Sequence, residues 1–155
     1  MKKTRNRNIF VDANIIIDYL LPRKYHTSNA ISIFEQATQF SAVLHVCSYS
    51  LSIAYHYMRT ENIPHKIAIF KLEKMFPKVN ILPVNDVIIQ QALKSEFTDF
   101  EDAIQYFCAL QVPECEAIIT RNPCDFALSN VLVTTPQDFS SKYRAYQASF
   151  QIIDH

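Results

Sequence analysis

Apolar residues along this chain fall into short blocks of two kinds, and their alternation organises the sequence. Asn8 to Val11, Ala42 to Cys47, Val79 to Val84, Ala117 to Thr120 and Val131 to Val133 are compact, β-branched or aliphatic runs of strand length. Between them the period changes. Ala30, Ile31, Phe34 and Ala37 recur at three and four, which predicts a helix over 27–40 with Thr27 or Ser28 as its cap. A short helix through Ile15 and Leu21 is expected to stop at Pro22. Further helices are predicted from Ser48 or Ser50 through Met58, over Pro64 to Phe76, through Leu93, and from a Thr98 cap to about Leu110. A last helix opens at Pro136, where Thr135 and Asp138 have capping-box spacing. Strands separated by helices predict an α/β fold with three layers, a central parallel sheet of about five strands covered on both faces.

Composition narrows the class. The chain has 155 residues, 49% of them apolar, enough for one domain with a proper core and too apolar for a disordered segment. No linker, repeat or low-complexity tract interrupts it, so residues 1–155 read as a single domain. Its apolar runs are shorter than a membrane span and no leader pattern opens it, which makes cytoplasmic residence without membrane contact the expectation. Formal charge is zero, against a non-specific nucleic-acid coat, although Lys2, Lys3, Arg5 and Arg7 form a local basic cluster. Glycine is absent altogether, which excludes a glycine-cradled phosphate loop or dinucleotide fingerprint. Cys47, Cys108, Cys115 and Cys124 make no C-x-x-C pair and the histidines no H-x-x-x-H pair, so reduced structural thiols and no zinc site are expected.

Three acidic phrases stand out against this background. Asp12 follows the first strand, and Asn14 two residues on can orient its carboxylate or offer a neutral oxygen. Asp18, one turn further, is expected to face solvent. Asp99, Glu101 and Asp102 crowd the start of a helix, more acid than capping needs. Thr98 and Glu101 have capping-box spacing, which gives Glu101 a structural role, and Asp99 and Asp102 share one helical face. Asp125 follows the fourth strand within Thr120-Arg121-Asn122-Pro123-Cys124-Asp125-Phe126, where Arg121 is expected to pair with Asp125 or with phosphate. In an open α/β sheet ligands gather at the carboxyl ends of strands, so acids distant in sequence converge there, and the simplest purpose of their convergence is to hold a divalent cation.

In this order and setting the phrases resemble the PIN-domain family, the metal-dependent ribonuclease fold that includes the VapC-type toxins of toxin–antitoxin pairs. The resemblance rests on Phe10 to Ile15, Asp99 to Ala103, Ile118 to Asn122 with Asp125 and Phe126, and Thr135-Pro136 with Phe139. It implies a PIN-like three-layer fold and an endoribonuclease that hydrolyses RNA phosphodiesters with Mg2+ or Mn2+. It also implies Asp12, Asp102 and Asp125 as catalytic, metal-site acids with Asp99 as a helper, and Asn14 and Asn122 as polar supports. A cognate antitoxin and a homodimer are the expected partners besides RNA. The family's usual glutamate on the helix after the second strand has no counterpart, because its place falls at Ala54 or Tyr55. Losing a carboxylate should weaken a second metal most, so one well-bound ion and reduced hydrolysis are expected. The alternative is a catalytically impaired PIN domain acting as an RNA- or protein-binding module.

Arg121, Arg23, Lys24 and Arg59 are the candidate phosphate contacts, and exposed tyrosines would suit unpaired bases. Phe139, Tyr143, Tyr146 and Phe150 form one aromatic stripe, read as core or as a partner contact. A phosphoacceptor fold is disfavoured, since Asn14 stands where an aspartyl phosphatase wants its second acid and Thr134-Thr135-Pro136 where a receiver wants lysine.

Overall fold

The computed structural model describes residues 7–151, without the side chains of residue 143 and of 146–151. The order is β1 (Arg7–Val11), α1 (Ala13–Leu20), α2 (Lys24–Gln39), β2 (Ala42–Cys47), α3 (Ser48–Thr60), α4 (His65–Met75), β3 (Asn80–Leu82), α5 (Asp86–Lys94), α6 (Phe100–Ala109), β4 (Cys115–Ile119), β5 (Val133–Thr134) and α7 (Pro136–Gln151). Single 3-10 turns fill Phe76–Lys78 and Pro123–Phe126. The strands form one parallel sheet in the order β3-β2-β1-β4-β5. All the predicted strands are present, with β3 and β5 shorter than their apolar runs.

Side-chain parity sorts the core into two layers. Ile9, Val11, Leu44, Val46 and Ile119 face one side, where they pack with α1–α4 and Phe139. Phe10, Cys47 and Ile118 face the other, against α5, α6 and Phe126. Phe139 thus belongs to the core, whereas Tyr143, Tyr146 and Phe150 of the aromatic stripe lie outside the described side chains, as do Lys2, Lys3 and Arg5. Arg7 pairs with Glu116 across β1 and β4 rather than extending a basic arm.

Two helix starts depart from expectation. α2 begins at Lys24, and neither Thr27 nor Ser28 caps it. Thr27 Oγ1 instead accepts the Arg23 N–H and donates to the Leu21 carbonyl, both at 2.7 Å, so it fastens the turn around Pro22 from inside the helix. α6 begins one residue after Asp99, which displaces Thr98 as cap.

A polar ladder crosses the edge of the sheet opposite the acids. Asn8 donates through Nδ2 to the Pro113 carbonyl (3.0 Å), which turns its Oδ1 toward His45 Nε2 at 3.0 Å. Nε2 therefore carries the hydrogen, and Nδ1 accepts from Asn80 Nδ2 at 2.8 Å. A neutral ring is required on both sides, and burial pushes its pKa below the ordinary 6.5. The unfolded chain takes up this proton first, so the contribution of His45 is complete above pH 6.5 and fades as pH falls toward its lowered folded value. The difference in thermal midpoint between wild type and His45→Leu should shrink between pH 7.5 and pH 5; a constant difference refutes the neutral-ring assignment.

Without glycine, left-handed backbone falls on other residues: Lys24, Ser41, Asn62 and Glu114 have positive φ. Asn62 closes α3 as a Schellman cap, with its own N–H on the Arg59 carbonyl and the Ile63 N–H on Met58. Ser41 ends α2 at φ 54° with its N–H on the Thr38 carbonyl at 3.5 Å, and its side chain disfavours that region. Ser41→Gly should raise stability by up to about 1 kcal/mol, read by urea denaturation.

Candidate active site

Asp12 ends β1 and is 3% exposed. Its carbonyl starts α1 by accepting from Ile15 and Ile16, yet its side chain caps nothing. Oδ2 instead accepts a 2.7 Å hydrogen bond from Thr120 Oγ1, from a residue 108 positions away that ends β4. Gln105, on α6, accepts the Ala13 N–H through Oε1 at 2.8 Å and also hydrogen-bonds the Asp12 carboxylate. Burial pushes the Asp12 pKa up; the Thr120, Gln105 and Ala13 hydrogen bonds pull it back, and the Asp125 charge adds to the rise. A capping role does not explain this placement.

Asp102 lies in the first turn of α6. The Asp99 carboxylate caps that helix by accepting the Asp102 N–H at 3.0 Å. Asp99 has the extended backbone of an N-cap, so its side chain reaches the third N–H and leaves no such role for Thr98. Glu101, freed from a capping box, accepts from the Tyr49 hydroxyl of α3 at 2.9 Å. The Asp102 carboxyl is pushed up to about 7, by burial first and then by the charges of Asp99, Asp12, Asp125 and Glu101. Asp125 sits exposed in the 3-10 turn after β4, held by its N–H on the Asn122 carbonyl (3.0 Å) and by the buried ring of Phe126.

Asp12, Asp99 and Asp125 therefore all lie within electrostatic reach of Asp102, and Asp125 within reach of Asp12. Among the described residues no three acidic, histidine or cysteine side chains are set to hold one metal ion as they stand. The donor chemistry still suits a hard cation. Magnesium keeps several waters and takes one or two carboxylates plus substrate phosphate, and Asp12 with Asp102 supplies such a pair.

The supports act through Thr120. Asn14 Nδ2 donates to Thr120 Oγ1 (3.4 Å), and the Asn122 N–H reaches the same oxygen (3.1 Å). Asn14 Oδ1 accepts the Arg121 N–H at 3.4 Å. Thr120 and Gln105 are the residues that sequence reasoning missed. Gln105 had a readable signal, since it lies three positions after Asp102 on one helical face.

Two expectations are overturned nearby. Asp18 is 1% exposed rather than solvated, and Arg121 pairs with it, Nε to Oδ2 at 2.6 Å, rather than with Asp125. Arg23 adds a longer contact at 3.7 Å. Burial pushes the Asp18 pKa up, and Arg121, His26 and Arg23 pull it down. Of the remaining basic candidates, Arg59 is tied to the Ile63 carbonyl, and Lys24 is exposed. Tyr25, 80% exposed, is the most open tyrosine among the described residues. On α3 the buried stripe is Ser50, Ala54 and Met58, with no carboxylate, and Tyr55 bonds His65 Nδ1.

A family model described as a PIN domain matches residues 8–123. No curated protein matches the sequence. Among solved structures the chain is similar to VapBC2 from Rickettsia felis, bound to a DNA fragment from its promoter. That match has a TM-score of 0.62 at 11% identity, covering 83% of this chain and 98% of that one. It is also similar to Mycobacterium tuberculosis VapC20, a toxin that cleaves the sarcin–ricin loop. There the TM-score is 0.53 at 14% identity, with 71% of this chain and 86% of that chain covered.

A carboxyl raised above its unfolded value destabilises the fold once it ionises. The folded chain holds the Asp102 proton up to about 7 while the unfolded chain releases it near 3.8, so this contribution to stability falls as pH rises between them. In chelator, Asp102→Asn should flatten that decline and raise the thermal midpoint at pH 8. A variant whose midpoint tracks wild type across pH 4–8 contradicts the assignment.

Proposed function

The chain belongs to the PIN-domain family, and on that footing we propose that it is a divalent-metal-dependent endoribonuclease resembling the toxin of a type II toxin–antitoxin pair. The observation that carries the reading is Asp12: a buried carboxylate at a strand end, held by Thr120 and Gln105 and answering electrostatically to Asp125 and Asp102. A fold has no structural reason to gather like charges there, and relief of their repulsion by a cation and a phosphate supplies one.

In this reading Asp12 and Asp102 hold Mg2+ or Mn2+, with Asp125 and Asp99 shaping the field around them. The ion, when bound, polarises a phosphoryl oxygen and acidifies a coordinated water. The chain's own groups do the rest. Thr120 holds one oxygen of Asp12 and so limits rotation of its carboxylate. Asn14 and Asn122 keep the Thr120 hydroxyl aimed. The Asp102 carboxyl, raised to about 7 while its acidic neighbours are uncompensated, gives up its proton to ligate, so binding of the ion at neutral pH releases a proton. RNA is the proposed substrate; a cognate antitoxin and a second copy of the chain are the proposed partners, in the cytoplasm.

Ala54 favours a second reading. It is fully buried on the helix where the family resemblance expects a glutamate, and no other acid lies on that buried stripe. A PIN domain short of one carboxylate can keep an RNA- or protein-binding role with little hydrolysis.

Single-stranded RNAs should be cut in Mn2+ or Mg2+ and spared in chelator, with Asp12→Asn and Asp102→Asn each slowing cleavage at least about a hundredfold. Manganese should also raise the wild-type thermal midpoint at pH 7.5. Cutting that survives both substitutions belongs to a contaminant. RNA bound without cleavage, and a midpoint indifferent to manganese, would leave the binding module as the function.

A further inference from the structure

A cleft of about 150 Å³ opens between the start of α2, the exit of β4 and the first turn of α7. Asp18, His26, Asn29, Arg121, Asn122 and Gln137 line it. It adjoins the acidic centre through shared groups: the Asn122 N–H bonds Thr120 Oγ1, the atom that holds Asp12, and the Arg121 N–H bonds Oδ1 of Asn14, whose Nδ2 reaches that same threonine oxygen. Its volume of about 150 Å³ is the size of an engineered protein cavity that accepts a benzene ring, room for one planar ring.

Asp18 forms the floor, 1% exposed and facing Arg121 Nε at 2.6 Å. Neither carboxylate oxygen, nor Nε itself, completes a hydrogen bond of proper alignment. The pair is held by charge and proximity, and it grips the guanidinium by its Nε edge. That anchors Arg121 at the buried Asp18 carboxylate beneath the cleft. Around the rim stand three carboxamides, Asn29, Asn122 and Gln137, each offering both donors and an acceptor.

Two chemistries compete for such a lining. A phosphate wants donors alone, and here it would meet a buried carboxylate and three amide oxygens. A purine N7 edge is planar and uncharged, so it tolerates a carboxylate already paired with Arg121 and takes donors in a plane, with an added acceptor in the case of adenine. The N7 and O6 atoms of guanine match a guanidinium fork, and N7 with the N6 amino group of adenine matches a carboxamide. Pyrimidines have no N7 and so no equivalent pair.

We propose that this cleft receives one unpaired purine of an RNA strand, read on its N7 edge by Arg121 with Asn29 and Gln137, beside the acids that face the neighbouring phosphodiester. The assignment rests on RNA being the substrate. It makes the anchored Arg121 a specificity device, with Asp18 as the residue that positions it.

The test is binding, which does not depend on turnover. Asp12→Asn protein is titrated by fluorescence anisotropy with uridine octamers that carry a central A, G or C, or no substitution. A central purine should tighten binding about tenfold over the pyrimidine octamers. Replacement of that purine by its 7-deaza analogue, which lacks the N7 acceptor, should return affinity to the pyrimidine level. Asn29→Ala and Gln137→Ala should narrow the preference to about twofold with the pyrimidine affinity and the thermal midpoint unmoved. Equal affinity for all octamers, full affinity for the 7-deaza analogues, or a uniform loss in both variants overturns the proposal. If base preference is absent while wild-type protein still cuts RNA, this inference alone falls. If no octamer binds and no RNA is cut, the nuclease reading falls with it. A purine preference in a protein that does not cut upholds the cleft and leaves the binding module as the function.

Discussion

The pairing of β1 with β4 is the constraint on which everything else depends. Val11 lies beside Ile119, and the Asp12 N–H bonds the Ile119 carbonyl, so two parallel strands end together at one edge of the sheet. Only for that reason can Thr120 hold Asp12 across 108 residues. The direction of build follows. β2 and β3 extend the sheet to one side of β1, with α1–α4 on one face, and the chain then returns to lay β4 on the other side. Right-handed crossovers force that return onto the opposite face, which is where α5 and α6 pack. A crossover helix runs antiparallel to its strands, so the first turn of α6 arrives at their carboxyl ends. Asp102 and Gln105 come to Asp12, and Asp99 to Asp102, as a consequence of topology.

Like charges gather at that edge at a cost in local stability. Asp12 is buried with its charge opposed by Asp125, and Asp102 meets four acids. Burying a carboxylate is costly unless it is hydrogen-bonded, and only Asp12 has such bonds from Thr120 and Gln105. The surrounding core offsets the cost: Phe10, Val11, Ile118 and Ile119, the residues leading into the site, are wholly buried. The opposite edge shows the contrary design. There Asn8, His45 and Asn80 satisfy one another without a charge.

Much of this was legible in the sequence, and the remainder failed for identifiable reasons. Compact β-branched runs and helical stripes determine element type, so five strands and the helices between them could be read. The acids stood out because Asp12 and Asp125 follow strands and Asp102 opens a helix. What periodicity does not encode is the azimuth of one side chain. Asp18 sits one turn beyond Asn14, and only the position of Arg121, brought in by β4, decides that it points inward. Capping failed similarly: Thr98, Asp99 and Glu101 are all competent, and a one-residue shift in the helix start selected Asp99 and released Glu101 to Tyr49. Thr120 was read as a strand residue because a terminal threonine carries no mark of the carboxylate it will serve.

The lack of an acid on α3 takes on a different meaning once the field is laid out. Asp12, Asp99, Asp102 and Asp125 come from β1, the start of α6 and the turn after β4, whereas α3 sends Ser50, Ala54 and Met58 inward. A carboxylate at position 54 would have to enter the apolar layer of α1–α4, in which Ala54 has no exposure. In its place α3 contributes the Tyr49 hydroxyl, which holds Glu101 at the start of α6. The helix that would carry the extra acid therefore serves as a clamp on the helix that carries the others. A centre built this way gathers fewer like charges.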